Sequence, residues 1–283
     1  MVLFVLLSSD QRKIFFGKIK TKIGSWEKFY PRYNISRAMF FNYLSGKYGI
    51  PLDLFNLWKE ISNFKENVNT IEKSMYLKKE IKEIILDENL AEIIGVLNGD
   101  GHISKNQKEI CVVGNKNEKD YALYLQNLFT SKLKVDFNHI FFDSSRFKLK
   151  GYSVDLSRFL VKEYGLPSGN KLGKLHIPPQ ILTKNELLIS YLRGLYDTDG
   201  TIYIRRKKDY VIEISSADKN YLIEIKSALE RLGFNISLLK NHVAIYKKHE
   251  IKKFFELIRP SNSKHLKRFE NYSKISAGGL TAE

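Results

Sequence analysis

Two stretches, Gly95-Val96-Leu97-Asn98-Gly99-Asp100-Gly101 and Gly194-Leu195-Tyr196-Asp197-Thr198-Asp199-Gly200, share one pattern: a glycine, an aspartate five positions on, and a closing glycine. Each ends a run with helical spacing, over 88–97 and 186–196. Glycine inside a helix costs about 1 kcal/mol relative to alanine, so its recurrence at one offset needs a reason. Close approach of two helix backbones supplies one, because no Cβ stands between them. Helices crossing through Gly95 and Gly194 would bring Asp100 and Asp199 side by side. The glycine after each aspartate suits a sharp exit from a helix C-terminus. Adjacent carboxylates repel unless they share a proton or a cation, and the negative end of each helix strengthens the field for a cation. Few carboxylates, completed by water and phosphate oxygens, describe a Mg²⁺ site. The backbone carbonyls of Gly99 and Thr198 are weaker candidate ligands.

The segment C-terminal to each motif is also written twice. After the first motif come strand-like runs at 101–104 and 109–114, an amphipathic helix at 118–132, strands at 137–142 and 147–154, and a helix at 156–164. After the second come strands at 201–205 and 210–215, a helix at 219–232, strands near 236–239 and 243–246, and a helix at 251–258. Asp100 and Asp199 lie 99 residues apart, and Lys119-Asp120-Tyr121 and Lys219-Asn220-Tyr221 lie 100 apart. A duplication of this period predicts two similar halves related by a pseudo-two-fold axis. The expected boundaries are 87–183 and 184–276, with a tail at 277–283.

Residues 1–65 belong to neither copy. Helices are expected at 9–23 and 25–33, a third starting at Ser36 as N-cap and ending at Ser45-Gly46, and a fourth over 52–61 opened by Pro51. Short helices with tight turns suggest a small all-α module of the helix-turn-helix kind. Ten basic against four acidic side chains over residues 1–60 give it a charge of +6. Residues 66–86 read as a helical linker.

The whole chain of 283 residues carries +16, with basic residues spread along its length, which points to a polyanionic partner. A single cysteine, Cys111, excludes an internal disulfide and fits a reducing compartment. The apolar start at 1–7 is too short for a signal core, and no run approaches the ~18 apolar residues of a membrane span. An intracellular protein of the cytoplasm or nucleoid, without a membrane partner, is expected. The six histidines lack zinc-ligand spacing, and no glycine-rich nucleotide loop is present.

Residues 93–101 and 192–200 resemble the two motifs of the LAGLIDADG homing endonucleases, in their single-chain form. The resemblance spans about 86–275 and extends to two further blocks, Gly169-Asn170-Lys171-Leu172-Gly173-Lys174-Leu175-His176-Ile177-Pro178 and residues 258–265. It implies an α+β fold in which two αββαββα halves form a saddle-shaped sheet surface over DNA. It also implies a monomer making a staggered double-strand break, with Asp100 and Asp199 as catalytic metal ligands for Mg²⁺ and Mn²⁺ as a possible substitute. Basic helpers are implied near the metals: Lys174 or Lys171 before Ile177-Pro178, and Lys116 at a strand end. A plain solvated charge is the alternative for each. Asn98 departs from the acid of the family pattern, which Asp197 keeps. Residues 35–52 resemble Cro/CI-type helix-turn-helix domains, which nominates Arg37, Asn42, Tyr43 and Lys47 for DNA contact.

Phosphodiester hydrolysis needs an activated water, in-line attack and a stabilised leaving oxygen, and two metals about 3.5–4 Å apart can serve both oxygens. Alternation in 146–150 and 201–205 places Arg146, Lys148, Lys150, Tyr203 and Arg205 on one strand face, where a ribbon could read the major groove of double-stranded DNA. Two other readings share the scaffold. A regulator that binds DNA without cutting would be expected to lose one or both acids, and this sequence keeps both. An RNA-binding helper of host-intron splicing shares the basic surface. An intein is disfavoured, since Met1 is no splicing nucleophile and the sequence ends without a His-Asn pair.

Overall fold

The computed structural model describes residues 3–72, 84–137, 139–205 and 209–278. Contacts divide the chain into two units, Met1–Lys82 and Glu83–Glu283.

In the first unit, strand β1 (Leu3–Leu6) leads into α1 (Ser9–Ile23), α2 (Trp26–Phe29), a 3-10 turn (Tyr30–Tyr33), α3 (Arg37–Ser45), β2 (Ile50–Pro51), α4 (Leu52–Ser62) and β3 (Asn69–Glu72). The helix signals act as expected. Ser36 Oγ accepts from Met39 N at 3.2 Å, and Gly46 closes α3 with φ +78°. Packing is aromatic: Phe15, Phe29, Phe40 and Trp58 are fully buried, with Phe15 stacked on Phe55 at 5.0 Å. Such pairs add about 0.5–1.5 kcal/mol beyond area burial. Two expectations are corrected. The unit is not all-α, because the apolar run at 3–6 is the central strand of a β2-β1-β3 sheet. Nor is the linker helical throughout: Thr70 and Ile71 favour a strand, and 69–72 pair antiparallel with β1. The remainder of that expected linker at 73–83 lies outside the described residues.

The second unit holds the duplication. Its first half runs α5 (Glu88–Asn98), β4 (Gly101–Ile103), β5 (Glu109–Asn115), α6 (Lys119–Leu133), β6 (His139–Phe142), β7 (Arg146–Tyr152) and α7 (Val154–Tyr164). The second half runs α8 (Asn185–Asp199), β8 (Gly200–Arg205), β9 (Asp209–Ser215), α9 (Lys219–Arg231), β10 (Ser237–Leu238), β11 (His242–Ile245) and α10 (Lys248–Ile258). The two sheets are antiparallel with matching orders, β4-β5-β7-β6 and β8-β9-β11-β10. A last helix, α11 (Ser263–Gly278), has no counterpart in the first half and no signal in the repeat pattern.

Alternation sorts the sheet faces. Phe147 and Leu149 of β7 are fully buried, while Arg146 is exposed and Lys148 and Lys150 are half-buried. In the second sheet Ile202, Ile212 and Ile214 turn inward and Tyr203 is exposed. One continuous apolar core joins both halves through α5 and α8, whose residues Ile93, Ile94, Tyr191 and Leu192 are all fully buried.

Candidate active site

Helices α5 and α8 cross backbone to backbone at their glycines. A Cβ on Gly95 would overlap the Tyr191 carbonyl oxygen and stand 2.9 Å from Leu195 N. One on Gly194 would overlap the Glu92 carbonyl oxygen and stand 2.9 Å from Val96 N. The contact is therefore reciprocal, as a pseudo-two-fold axis requires. Past the crossing, Gly99 lies against the end of α8: a Cβ there would overlap Thr198 Oγ1 and stand 3.4 Å from Asp199 Oδ2. The Thr198 hydroxyl is itself folded back onto Gly194 O (3.1 Å) and Leu195 O (2.9 Å).

Asp100 and Asp199 are brought into one electrostatic site. Burial pushes the Asp199 carboxyl up to about 7, with the neighbouring Asp100 adding to the rise and Lys171 and Lys264 opposing it. The carboxyl of Asp100 also lies above its ordinary range, through desolvation first, although the residue keeps exposed surface. The same two lysines oppose its rise, and Glu118 adds to it. Desolvated, mutually repelling carboxylates are a site short of positive charge.

Two lysines supply part of that charge, one from each half. Lys171 Nζ donates to Leu97 O (2.8 Å), Asn98 O (3.1 Å) and Gly99 O (2.6 Å), closing the C-terminus of α5. Burial lowers its pKa to about 8 despite the raising influence of Asp199 and Asp100. The segment carrying it is pinned by Gly169 N on Ile103 O (2.8 Å), Asn98 Nδ2 on His176 O (2.9 Å) and Ile177 N on Glu224 Oε2 (2.6 Å). The second lysine, Lys264, pairs with Glu118 at 3.2 Å. Its segment wraps the end of α8: Asp197 Oδ2 accepts from Ser261 N (2.8 Å) and Asp197 Oδ1 from Asn262 N (3.2 Å).

That difference accounts for the departure at Asn98. In the first half the wrapping segment offers a carbonyl, which needs a donor, and Asn98 also donates to Tyr191 Oη at 2.8 Å. In the second half it offers two N–H groups, which need an acceptor. Burial pushes the Asp197 carboxyl up to about 8, against the lowering effect of those two N–H groups. Beneath the crossing, Glu92, nearly fully buried, takes Arg193 NH1 at 3.0 Å and Tyr124 Oη at 2.6 Å, tying the two halves together.

The nominated helpers fare unequally. Lys174 is exposed: the turn closed by Lys174 N on Lys171 O (2.9 Å), with Gly173 at φ +71°, separates it from Lys171. Lys171 takes the buried place instead. Lys116 is exposed at the end of β5. Lys264 escapes sequence reasoning as a helper, although its segment is recognisable as a block; only its place beside Asn262 and Asp197 reveals it. The Gly99 carbonyl faces Lys171 rather than standing open for an ion. Among the described residues no cluster of three or more His, Cys, Asp or Glu side chains could hold a metal. Asp100 and Asp199 alone are a small donor set, and Mg²⁺ sites of that kind keep several waters.

The strand residues lie on the outward faces but are already engaged. Arg146 and Lys148 reach Asp143 at 3.7 and 3.4 Å, Lys150 reaches Glu109 at 3.0 Å, and Tyr203 donates to Glu213 at 2.7 Å. The Arg205 guanidinium lies 5.4 Å from the Tyr246 ring centre. In the first unit Arg37 and Lys47 are exposed and Asn42 half-buried, whereas Tyr43 is buried in the aromatic core beside Trp58 (6.2 Å) and cannot meet a partner as expected. No helix of the described residues is long and apolar enough to cross a membrane.

Residues 186–259, covering α8 to α10, match the LAGLIDADG-like domain. An uncharacterized protein of Methanocaldococcus jannaschii is 28% identical over 168 residues, 56% of this chain and 61% of that protein. The glutamine–fructose-6-phosphate aminotransferase of the same organism is 28% identical over 193 residues, 66% of this chain but 16% of the enzyme. The chain thus spans less than two thirds of either relative. Among solved structures, the N-terminal LAGLIDADG domain of DUF199/WhiA aligns with a TM-score of 0.44 at 19% identity, covering 66% of this chain and 94% of that domain. The I-DmoI complex with DNA and Ca aligns with a TM-score of 0.43 at 16% identity, covering 60% and 88%.

Proposed function

We propose that the chain is a site-specific, metal-dependent DNA endonuclease acting as a monomer. The observation that carries this reading is the acid pair: a reciprocal glycine crossing sets Asp100 and Asp199 together at two helix ends, desolvated and repelling. A fold-only role would not require two desolvated carboxylates to be held where Asp100 raises the Asp199 carboxyl further. The LAGLIDADG-like match over the second half supports the reading.

A bound Mg²⁺, with Mn²⁺ as substitute, would supply an acidified water and charge for the phosphate. The protein's own part is positional. Asp100 and Asp199 would hold the ions, Lys171 fixes the end of α5, and Lys264 offsets negative charge beside both acids. Arg146, Lys148, Lys150, Tyr203 and Arg205 present the sheet faces to double-stranded DNA, the saddle of the proposed complex. The first unit adds a helix-turn-helix grip through Arg37, Asn42 and Lys47.

The test is incubation of the purified protein with a plasmid library of randomised inserts, with Mg²⁺ and with EDTA. Linear product confined to a sequence subset and to the Mg²⁺ arm supports the proposal. Sequence-selective retention of DNA without scission in either arm replaces it with a binding protein that does not cut, a role compatible with Lys171 closing the Gly99 carbonyl to an ion.

A further inference from the structure

The outward faces of the two sheets are not equivalent in charge, and the difference sits at their centres. Register fixes the correspondence: Gly101 pairs with Val112 in the first half and Gly200 with Ile214 in the second. Counting back one residue, Cys111 corresponds to Glu213. Across the sheet, Cys111 faces Lys150, whereas Glu213 faces Ala244. Where the first half places a thiol beside an ammonium, the second places a carboxylate beside a methyl group.

Glu213 is held firmly by its neighbours. Its Oε1 accepts from Tyr203 Oη at 2.7 Å and lies 3.3 Å from His242 Nε2. Its other oxygen, Oε2, has no hydrogen-bond partner among the described residues, and the side chain is 14% exposed. Inward-facing Ile212 and Ile214 on either side fix its orientation toward the open face. Its cross-strand neighbours are small: Ala244, buried, on one side, and Thr201, which accepts from Arg268 NH1 at 3.2 Å, on the other. Tyr203 and His242 both meet Oε1, which leaves Oε2 as the oxygen that a further donor would meet. The major groove offers such donors only on base edges, and a carboxylate matches the exocyclic N4 amine of cytosine.

We propose that Glu213 is a specificity-determining residue that reads a cytosine in the half-site contacted by the second sheet, with Tyr203 and His242 holding its carboxylate in place. The inference rests on the DNA-binding reading above. The first sheet, with Lys148 and Lys150 in the corresponding region, carries the basic face, so the two half-sites differ in sequence.

The experiment is selection of bound duplexes from a randomised pool, with Ca²⁺ in place of Mg²⁺, using the full chain and its Glu213→Gln and Tyr203→Phe variants. The wild type should select cytosine at one position, and Glu213→Gln should lose that preference by about 5- to 150-fold, leaving other positions unchanged. Tyr203→Phe, which removes the donor holding Oε1 but keeps the carboxylate, should weaken the cytosine preference by less than Glu213→Gln does. In parallel, the wild type is scanned against its selected duplex with each C·G pair changed to T·A, which tests the contact without altering the protein. One such change should weaken binding by a similar factor. Identical preferences for wild type and Glu213→Gln would overturn the assignment while leaving DNA recognition standing, as would a scan insensitive at every cytosine. A wild type that enriches no sequence would overturn both.

Discussion

Replacing Gly95 by alanine pits helix propensity against the crossing of α5 and α8. Propensity alone favours the change by about 1 kcal/mol. The new Cβ, however, would overlap the Tyr191 carbonyl oxygen and press on Leu195 N at 2.9 Å and Tyr191 C at 3.0 Å. All three obstacles are backbone, so no side-chain rotation relieves them, and the helices must part. Overpacking of this kind costs about 1–3 kcal/mol, and a rigid obstacle belongs at the upper end. Subtracting the propensity gain leaves a net loss of about 2 kcal/mol. In a unit of this size that lowers Tm by roughly 4–8 °C. Gly17→Ala in α1 is the control, since nothing lies within 4 Å of its added Cβ. It should stabilise by about 0.5–1 kcal/mol. Circular dichroism melts of the two variants beside the wild type read both signs. Gly95→Ala melting at or above the wild type would refute the close crossing, and with it the reason for the acids to meet.

Further outcomes rest on the polar network. In metal-free protein, Asp199 holds its proton more tightly folded than unfolded, so its contribution to stability is present below about pH 4 and lost as pH rises to about 7. Denaturation at fixed temperature across that window, with and without Asp199→Asn, should show the slope flattened in the variant. Lys171 acts at the alkaline end: with its pKa lowered to about 8, its burial cost should fade as pH climbs from there toward about 10.5, so stability should rise in wild type but not in Lys171→Met. Removing Arg193 leaves Glu92 buried without its cation, and Arg193→Met should destabilise by about 3–5 kcal/mol in urea unfolding. Asp197→Leu strips the acceptor from Ser261 N and Asn262 N, and faster proteolysis within 258–265 should report the released segment.

Much of the fold can be read in the sequence because a duplication doubles every weak signal. A lone Asp-Gly after a helix means little; Asp100 and Asp199, each five residues after a glycine, imply a crossing, and Gly95 and Gly194 meet as expected. Alternation locates β7 and β8, because each covers a core on one side only. Signals fail where tertiary context decides. Leu3–Leu6 and Asn69–Glu72 are strands only because they pair with each other, 63 or more residues apart. Tyr43 looks like a surface residue of a short helix until Trp58 covers it. The choice between Lys171 and Lys174 hangs on one turn at Gly173, and Lys264 reaches the acids only through a segment that Asp197 anchors 64 residues away in sequence.

The most direct measurement is the Mg²⁺-dependent cutting rate of one selected duplex by the wild type, Asp100→Asn and Asp199→Asn, with binding of each measured in Ca²⁺. The expected result is cutting reduced by at least about 100-fold in both variants, with binding within a few-fold of the wild type. Variants that cut as fast as the wild type would contradict the assignment of Asp100 and Asp199 as the hydrolytic site.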